Sequence, residues 1–290
     1  MAPYVKKGDL FVPEALEDAI KGIYAGMSVM KDTGAVLVKT GMPAGKAQVG
    51  STVTVPYFGT IGDLQDLTED GQALTPRGIS ETTETTTVKH SGIAIEATWW
   101  AQASSADDPY GEMARQVKLA VERKIDAEAM AAAVAAGSSL LTHDVYSASV
   151  PVKINFNDTI TARMKWGDEQ RDIAAMVMHS KVQGDAYQLA DSTGRPLYVD
   201  GTNPELGRFA GMPTFVSDRL SPTSDSPPKY TTLLLKKDAI VFWIGESHMK
   251  TAEDVLSDSQ LNVFHIYWAV HRYVRHPNGS KPGVVKFTHN

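Results

Sequence analysis

The residues able to do chemistry are few, and each set is incomplete. Gly41 to Lys46 reads GMPAGK and follows a strand-like run, as a phosphate-binding loop would. Such a loop needs four residues between its glycines and a Ser or Thr after the Lys, whereas here three intervene and Ala47 follows. It reads as a simple turn. His143-Asp144 pairs an imidazole with a carboxylate, but sequence neighbours rarely face each other, and no GxSxG elbow supplies a nucleophile. That pair reads as a loop or helix end. His265 and His271 share one face of a strand, yet six residues of strand separate them by about 20 Å, too far for one metal ion. No HxH, HxxxH or Cys pair adds a ligand, so they read as polar or interfacial contacts. Asp63, Asp66, Glu69 and Asp70 lack the DxDxDG spacing and the following Glu of a calcium loop, so they read as a solvated face. With no Cys in the chain, thiolate chemistry and disulfides are excluded. No catalytic, metal or cofactor-binding residue is expected, and the chain is predicted not to be an enzyme.

The elements around these residues are clearer. Pro13 to Lys31 carries Leu16, Ile20, Ile23, Tyr24 and Met27 at helical spacing, which predicts a short amphipathic helix behind a Pro-flanked arm. AVLVK from Ala35 predicts a strand, and Val49, Val53, Val55 and Tyr57 keep one parity into a second. Ile61 to Ile79 has no periodicity; its acids and glycines, with Arg77 as its only basic residue, predict a solvated tip. The return stretch, SETTETTTVKHSGIAIEATWW from Ser80 to Trp100, has two unlike halves. Its first half, with Thr83, Thr85 and Thr87, gives neither face anything apolar, whereas Ile93, Ile95, Ala97 and Trp99 form one apolar stripe. Two strands joined through a long acidic tip make a protruding hairpin, and an isolated hairpin does not hold together in water. It must lie on something else.

Asp107 to Gly137 is the strongest helical segment. Asp107-Asp108 supply an N-cap, Pro109 the first helical position and Gly137 the stop, while Met113, Val117, Val121 and Ile125 run down one side. The 28 residues from Pro109 to Ala136 would extend about 40 Å. The end, AEAMAAAVAAG, is small enough to let another backbone approach closely. A strand is predicted at Val150 to Phe156, a helix at Asp168 to Gln183 through Ile173, Met176 and Val177, and loop over Thr193 to Ser226 except for MPTFVSD. TTLLLKKDAIVFWIG and LNVFHIYWAVHRYVRH predict β structure, with Phe264, Ile266, Trp268 and Val270 alternating against His265, Tyr267, Ala269 and His271.

A chain of 290 residues with 42% hydrophobic residues can bury a large core in two substructures. The net charge of −6, with no run of five like charges, disfavours tight non-specific binding to nucleic acid. No signal-peptide core and no apolar run of membrane-spanning length occur, so synthesis is expected in the cytosol, away from any membrane. The glycosylation sequons at Asn157 and Asn278 then carry little meaning.

The order of these elements resembles the major capsid proteins of tailed bacteriophages, the Hong Kong 97 capsid fold, over nearly the whole chain. VTVPYFGTIGDLQDLTEDGQALTPRGISETTETTTVKHSGIAIEAT is similar to the extended E-loop hairpin of that family, and DDPYGEMARQVKLAVERKIDAEAMAAAVAAG to its long spine helix. GMPTFVSDR resembles a strand of the axial domain, and LNVFHIYWAVHRYVRHP with VVKF the last peripheral strands. The resemblance implies an α+β fold with an N-terminal arm at 1–46, the E-loop hairpin at 47–92, a peripheral domain at 93–153 and 244–275, and an axial domain at 154–243 and 276–290. It implies a shell protein that assembles through pentamers and hexamers around phage DNA inside the bacterial host, with a portal and, given the short arm, a separate scaffolding protein. Intersubunit contacts are then expected from the tip residues Asp63, Asp66, Glu69, Asp70 and Arg77, and from the arm residues Tyr57, Thr83, Thr85 and Thr87. Some relatives cross-link an E-loop Lys to an Asn of a neighbour with help from a Glu; here the tip has no Lys, and the receiving strand has Asn262 but no acid. The resemblance leaves room for an encapsulin-like compartment around a cargo enzyme, and the histidines for a soluble hydrolase.

Overall fold

A computed structural model describes residues 29–42, 49–59, 61–68, 73–98, 109–137, 140–149, 151–190, 194, 207–254, 259–277 and 279–290. The elements in chain order are α1 (Val29–Asp32), β1 (Val36–Thr40), β2 (Thr52–Phe58), β3 (Glu81–Thr87), β4 (Lys89–Thr98), α2 (Pro109–Val134) and β5 (Leu141–Asp144). There follow α3 (Phe156–Met164), a 3-10 turn (Gly167–Asp172), β6 (Ile173–Met178), α4 (Ser180–Tyr187), β7 (Gly207–Phe209) and β8 (Met212–Val216). The chain closes with β9 (Tyr230–Lys236), β10 (Ile240–Asp254), β11 (Ser259–Arg272) and β12 (Val284–His289). The strands form a four-stranded sheet in the order β1-β10-β11-β4, a six-stranded sheet in the order β5-β12-β9-β6-β8-β7, and the separate pair β2-β3.

The alternation along β11 has a direct cause. Phe264, Ile266 and Trp268 face α2, in one core with Ile125, Met130, Ile240 and Phe242. Ala269 faces away, in a second small core with Val241 and Trp243. The Ala-rich end of α2 packs as its composition predicts, with Ala129 and Ala133 fully buried. Arg272 donates to the Ala133 carbonyl at 2.9 Å, satisfying an acceptor that the helix end leaves free.

Asp126, 1% exposed on α2, anchors the start of the described chain. Its carboxylate accepts from the amides of Val29 and Met30 at 2.9 and 3.0 Å and from Arg219 at 2.7 Å. Burial pushes its pKa up, and these hydrogen bonds and the Arg219 charge oppose that rise. The remainder of the Pro13 to Lys31 helix, with residues 99–108 and the Asp107-Asp108 cap, lies outside the described residues.

Three predicted elements are corrected. Asp168 to Gln183 is not one helix but the 3-10 turn, strand β6 and the start of α4. β6 lies between parallel β8 and antiparallel β9, and both its faces are covered, so its apolar run is continuous and mimics a helical face. Val150 to Phe156 holds no strand among the described residues; Asn155 instead caps α3 by accepting from the Asn157 amide. His143-Asp144 is neither loop nor helix end but strand β5, pairing with β12, and adjacent strand residues point to opposite faces. His143 stacks on Phe287, while Asp144 accepts from Lys229 at 2.8 Å and Thr288 at 2.6 Å. The pair cannot work as base and orienter.

The 3-10 turn ties the two ends of the six-stranded sheet's chain together. Glu169 accepts from the fully buried Lys236 ammonium at 2.6 Å and from the Ser280 amide and hydroxyl, both at 2.6 Å. Burial raises the carboxyl pKa, but the hydrogen bonds from Lys236 and Ser280 outweigh it and hold the value at about 2.

Candidate assembly interface

The β2–β3 pair is the protruding hairpin. Its register runs from Thr52 opposite Thr87 to Phe58 opposite Glu81. Alternation sets its two faces. Val53, Val55 and Tyr57 with Glu84 and Thr86 turn toward the body, whereas Thr52, Thr54 and Pro56 with Thr83, Thr85 and Thr87 form an exposed, unpacked ladder. Three of the expected arm residues therefore share one open face, and Tyr57 lies on the other. There it lines a cavity of about 800 Å³ with Val55, Phe58, Trp243, Tyr273 and Arg275.

The base of the hairpin is fastened to its own chain. Val55 packs on the Val241, Trp243 and Ala269 core, on the sheet face opposite α2. Glu84 reaches His271 Nε2 at 2.5 Å and accepts from the Val274 amide at 3.1 Å, and Thr86 donates to the Val270 carbonyl at 2.6 Å. Burial pushes the His271 pKa down, against the pull of the Glu84 carboxylate. Sequence reading placed His271 in a polar contact but missed Glu84, whose partner lies 187 residues away.

Beyond Phe58 the tip holds itself by hydrogen bonds instead of packing. Gln65 Nε2 donates to the Thr75 carbonyl at 3.2 Å, and its Oε1 accepts from the Thr75 amide at 3.1 Å. Arg77 donates to the carbonyl of Asp63 at 2.8 Å, so it braces the loop from within. Asp63 and Asp66 are exposed; Glu69 and Asp70 lie outside the described residues. What sequence reading missed is the apolar character of this tip. Phe58, Ile61, Leu64, Leu67, Leu74 and Ile79 are all more than half exposed, and Leu64 is 98% exposed. They are six of the eleven large exposed apolar side chains among the described residues, so the exposed apolar surface is concentrated on the tip of the hairpin. The signal was present in GDLQDLTEDGQALTP, but its acids and the lack of a period concealed it.

A second apolar surface opens between α2 and the four-stranded sheet. This groove of about 760 Å³ is lined by Val38, Ile95, Met113, Val117, Val121 and Phe264 among others. Among the described residues no group of three or more His, Cys, Asp or Glu side chains gathers as a metal site, and no helix is long and apolar enough to cross a membrane.

The sequence matches the family described as Major capsid protein 13-like over residues 84–267. Its structure is similar to the capsid of Ralstonia phage GP4, with a TM-score of 0.64 at 10% identity over 91% of each chain. It is similar to the capsid of an empty GTA particle, with a TM-score of 0.66 at 10% identity over 100% of this chain and 95% of the other. A structure from Microbacterium phage Oxtober96 matches with a TM-score of 0.59 at 16% identity over 91% of each chain. These structural likenesses carry the Hong Kong 97-type fold. No curated protein matches the sequence.

Proposed function

Because this chain belongs to the Major capsid protein 13-like family and is a phage shell protein, we propose that it assembles through pentamers and hexamers in which the β2–β3 hairpin of one subunit lies across the next. The observation that carries this reading is the apolar tip on a hairpin whose core contacts, among the described residues, lie at its base. A surface of that kind gains by being covered, and a shell built by repeated heterologous contacts covers it in every subunit. The open Thr ladder offers hydroxyls and backbone groups to the same neighbour. The four-stranded sheet with α2 acts as the peripheral domain and the six-stranded sheet as the axial domain. In that division β1 joins the peripheral unit from the arm, and β5 joins the axial one. Assembly takes place in the bacterial cytoplasm with a separate scaffolding protein and a portal; the mildly acidic wall encloses DNA without gripping it. The chain has no enzymatic role.

Electron microscopy of the purified chain, with scaffold supplied, should show closed particles with five- and sixfold units. Replacing Ile61 to Ile79 by a short Gly-Ser turn should leave the subunit folded and abolish particles. Full assembly of that shortened chain would refute the clamp, and particles holding a cargo enzyme in place of DNA would refute the viral role.

A further inference from the structure

We propose that the cleft at the base of the β2–β3 hairpin receives the hairpin tip of a neighbouring copy of this chain. If the hairpin is the clamp between subunits, on which this reading rests, the cleft is what it grips. The aromatic rings of Tyr57, Phe58, Trp243 and Tyr273 wall this space of about 800 Å³. Lys39 and Arg275 also line it, and no described Asp or Glu does. Lys39 is exposed and has no acidic partner among the described residues. Arg275 is steadied through its Nε, which donates to the Gly279 carbonyl at 2.8 Å. A cleft that is aromatic and cationic fits a segment that is apolar and acidic.

The cleft also presents a strand edge. Gly59 donates to the Ser80 carbonyl at 2.7 Å and Val88 to the Ser51 carbonyl at 3.0 Å, which fixes the odd-numbered residues of β2 as those hydrogen-bonded to β3. The backbone groups of Thr54, Pro56 and Phe58 therefore point away from β3, and these three residues line the cleft. Among the described residues no strand pairs with that edge. Pro56 lacks an N–H and suits an edge position, while the Thr54 and Phe58 amides and all three carbonyls can bond an extended segment.

The tip has the matching chemistry. Leu64 and Leu67 are more than half exposed, Asp63 and Asp66 are exposed beside them, and residues 61–68 lie outside any helix or strand. The tip's one cation, Arg77, is turned inward to the Asp63 carbonyl. Leu64 stays almost fully exposed, so the tip does not fill the cleft of its own chain. The groove under α2 is the competing surface, but Glu122 stands in its lining and would face the tip's acids. Joining tip to base is a heterologous contact, repeated from each subunit to the next until a ring closes.

Because the chain has no Cys, introduced pairs of thiols report proximity without background. Particles of the T54C/D66C variant, treated with a short bismaleimide and boiled in denaturant, should run as a ladder of multimers. Particles of D66C/K118C, with the second thiol in the groove under α2, should run as single chains. A ladder from the Lys118 pair, or none from the Thr54 pair, would overturn the cleft. In sedimentation of assembly mixtures, K39E should raise the critical concentration by about two- to fivefold, and adding D66K should restore it. Parental assembly of K39E, or no recovery in the double variant, would overturn the charge match. Full assembly of the chain with the Gly-Ser tip would refute the clamp itself, whereas tip-dependent assembly with cross-linking in the groove would refute the cleft alone.

Discussion

Leu64→Ser separates an apolar clamp from an acidic one. In the free subunit the Leu64 side chain is 98% exposed, so its loss should change folding stability by no more than about 0.5 kcal/mol. If a neighbouring subunit covers it, the parent gains about 1.5–3 kcal/mol per contact that Ser cannot supply. There is one hairpin per subunit, and each 1.4 kcal/mol is tenfold in an equilibrium constant. The critical concentration for assembly should therefore rise by about tenfold to a hundredfold. Asp66→Asn provides the contrast, since an exposed ion pair contributes about 0–1 kcal/mol.

Sedimentation of assembly mixtures over a concentration series measures the first quantity, and thermal unfolding of unassembled subunits the second. Leu64→Met, which keeps volume and apolarity, should assemble like the parent. The reasoning fails if Leu64→Ser assembles at the parental concentration, or if Asp66→Asn is the more damaging change. A lowered subunit midpoint for Leu64→Ser would place the side chain's role within its own chain.

Glu84→Ala strips the buried His271 ring and the Val274 amide of their acceptor at about 1–3 kcal/mol for each unsatisfied group; limited proteolysis at the tip should accelerate, and an unchanged rate would show that the hairpin is held elsewhere. Glu169→Gln leaves the buried Lys236 ammonium without its carboxylate and should lower subunit stability by about 3–5 kcal/mol in a denaturant titration. Buried His289, with its pKa pushed down to about 4, stays neutral in the folded chain while the unfolded chain takes up a proton near its ordinary pKa of about 6.5. Stability is thus full above about pH 6.5 and is lost as pH falls toward about 4. His289→Gln should flatten that part of the pH profile, and an unchanged slope would assign it to another group.

How much was legible depended on how many faces each element buries. Along α2 and the Phe264 to Trp268 stretch of β11 the main core lies on one face, so Phe264, Ile266 and Trp268, or Val121 and Ile125, appear at the period of their element. β6 is covered on both sides, and Ile173 to Met178 loses the alternation that would mark a strand. The hairpin's need for a support was readable from its polar Thr arm, but the means of support was not. Glu84 looked like one more solvated acid, and only the fold brings His271 to it. The tip was misjudged for a related reason. Its acids were counted as its character, whereas Leu64, Leu67 and Leu74 follow no period because no element of this chain buries them. Apolar residues selected for contact with another molecule need no period of their own.

The same geometry argues that the shell is held without covalent bonds between subunits. An isopeptide link needs a neutral Lys amine, an amide carbon to attack and a nearby carboxylate to take the proton. Ile61 to Ile79 contains no Lys, and Arg77, bonded to the Asp63 carbonyl, stays protonated and is a poor nucleophile. On β11 the one asparagine, Asn262, is 8% exposed and lines the groove beneath α2. The acid nearest in register, Glu96, pairs with Leu261, so its side chain projects from the opposite face, where Ser259 Oγ donates to it at 2.7 Å. Glu122 and Asp126 line the same groove as Asn262, so the missing part is the amine: no Lys of the tip is there to attack it. Particle strength must then be the sum of many hairpin contacts, each weak alone. Particles boiled in denaturant should run as a single band near the 31.4 kDa chain mass, and a ladder of multimers surviving that treatment would show that a donor, an acceptor and a base do converge.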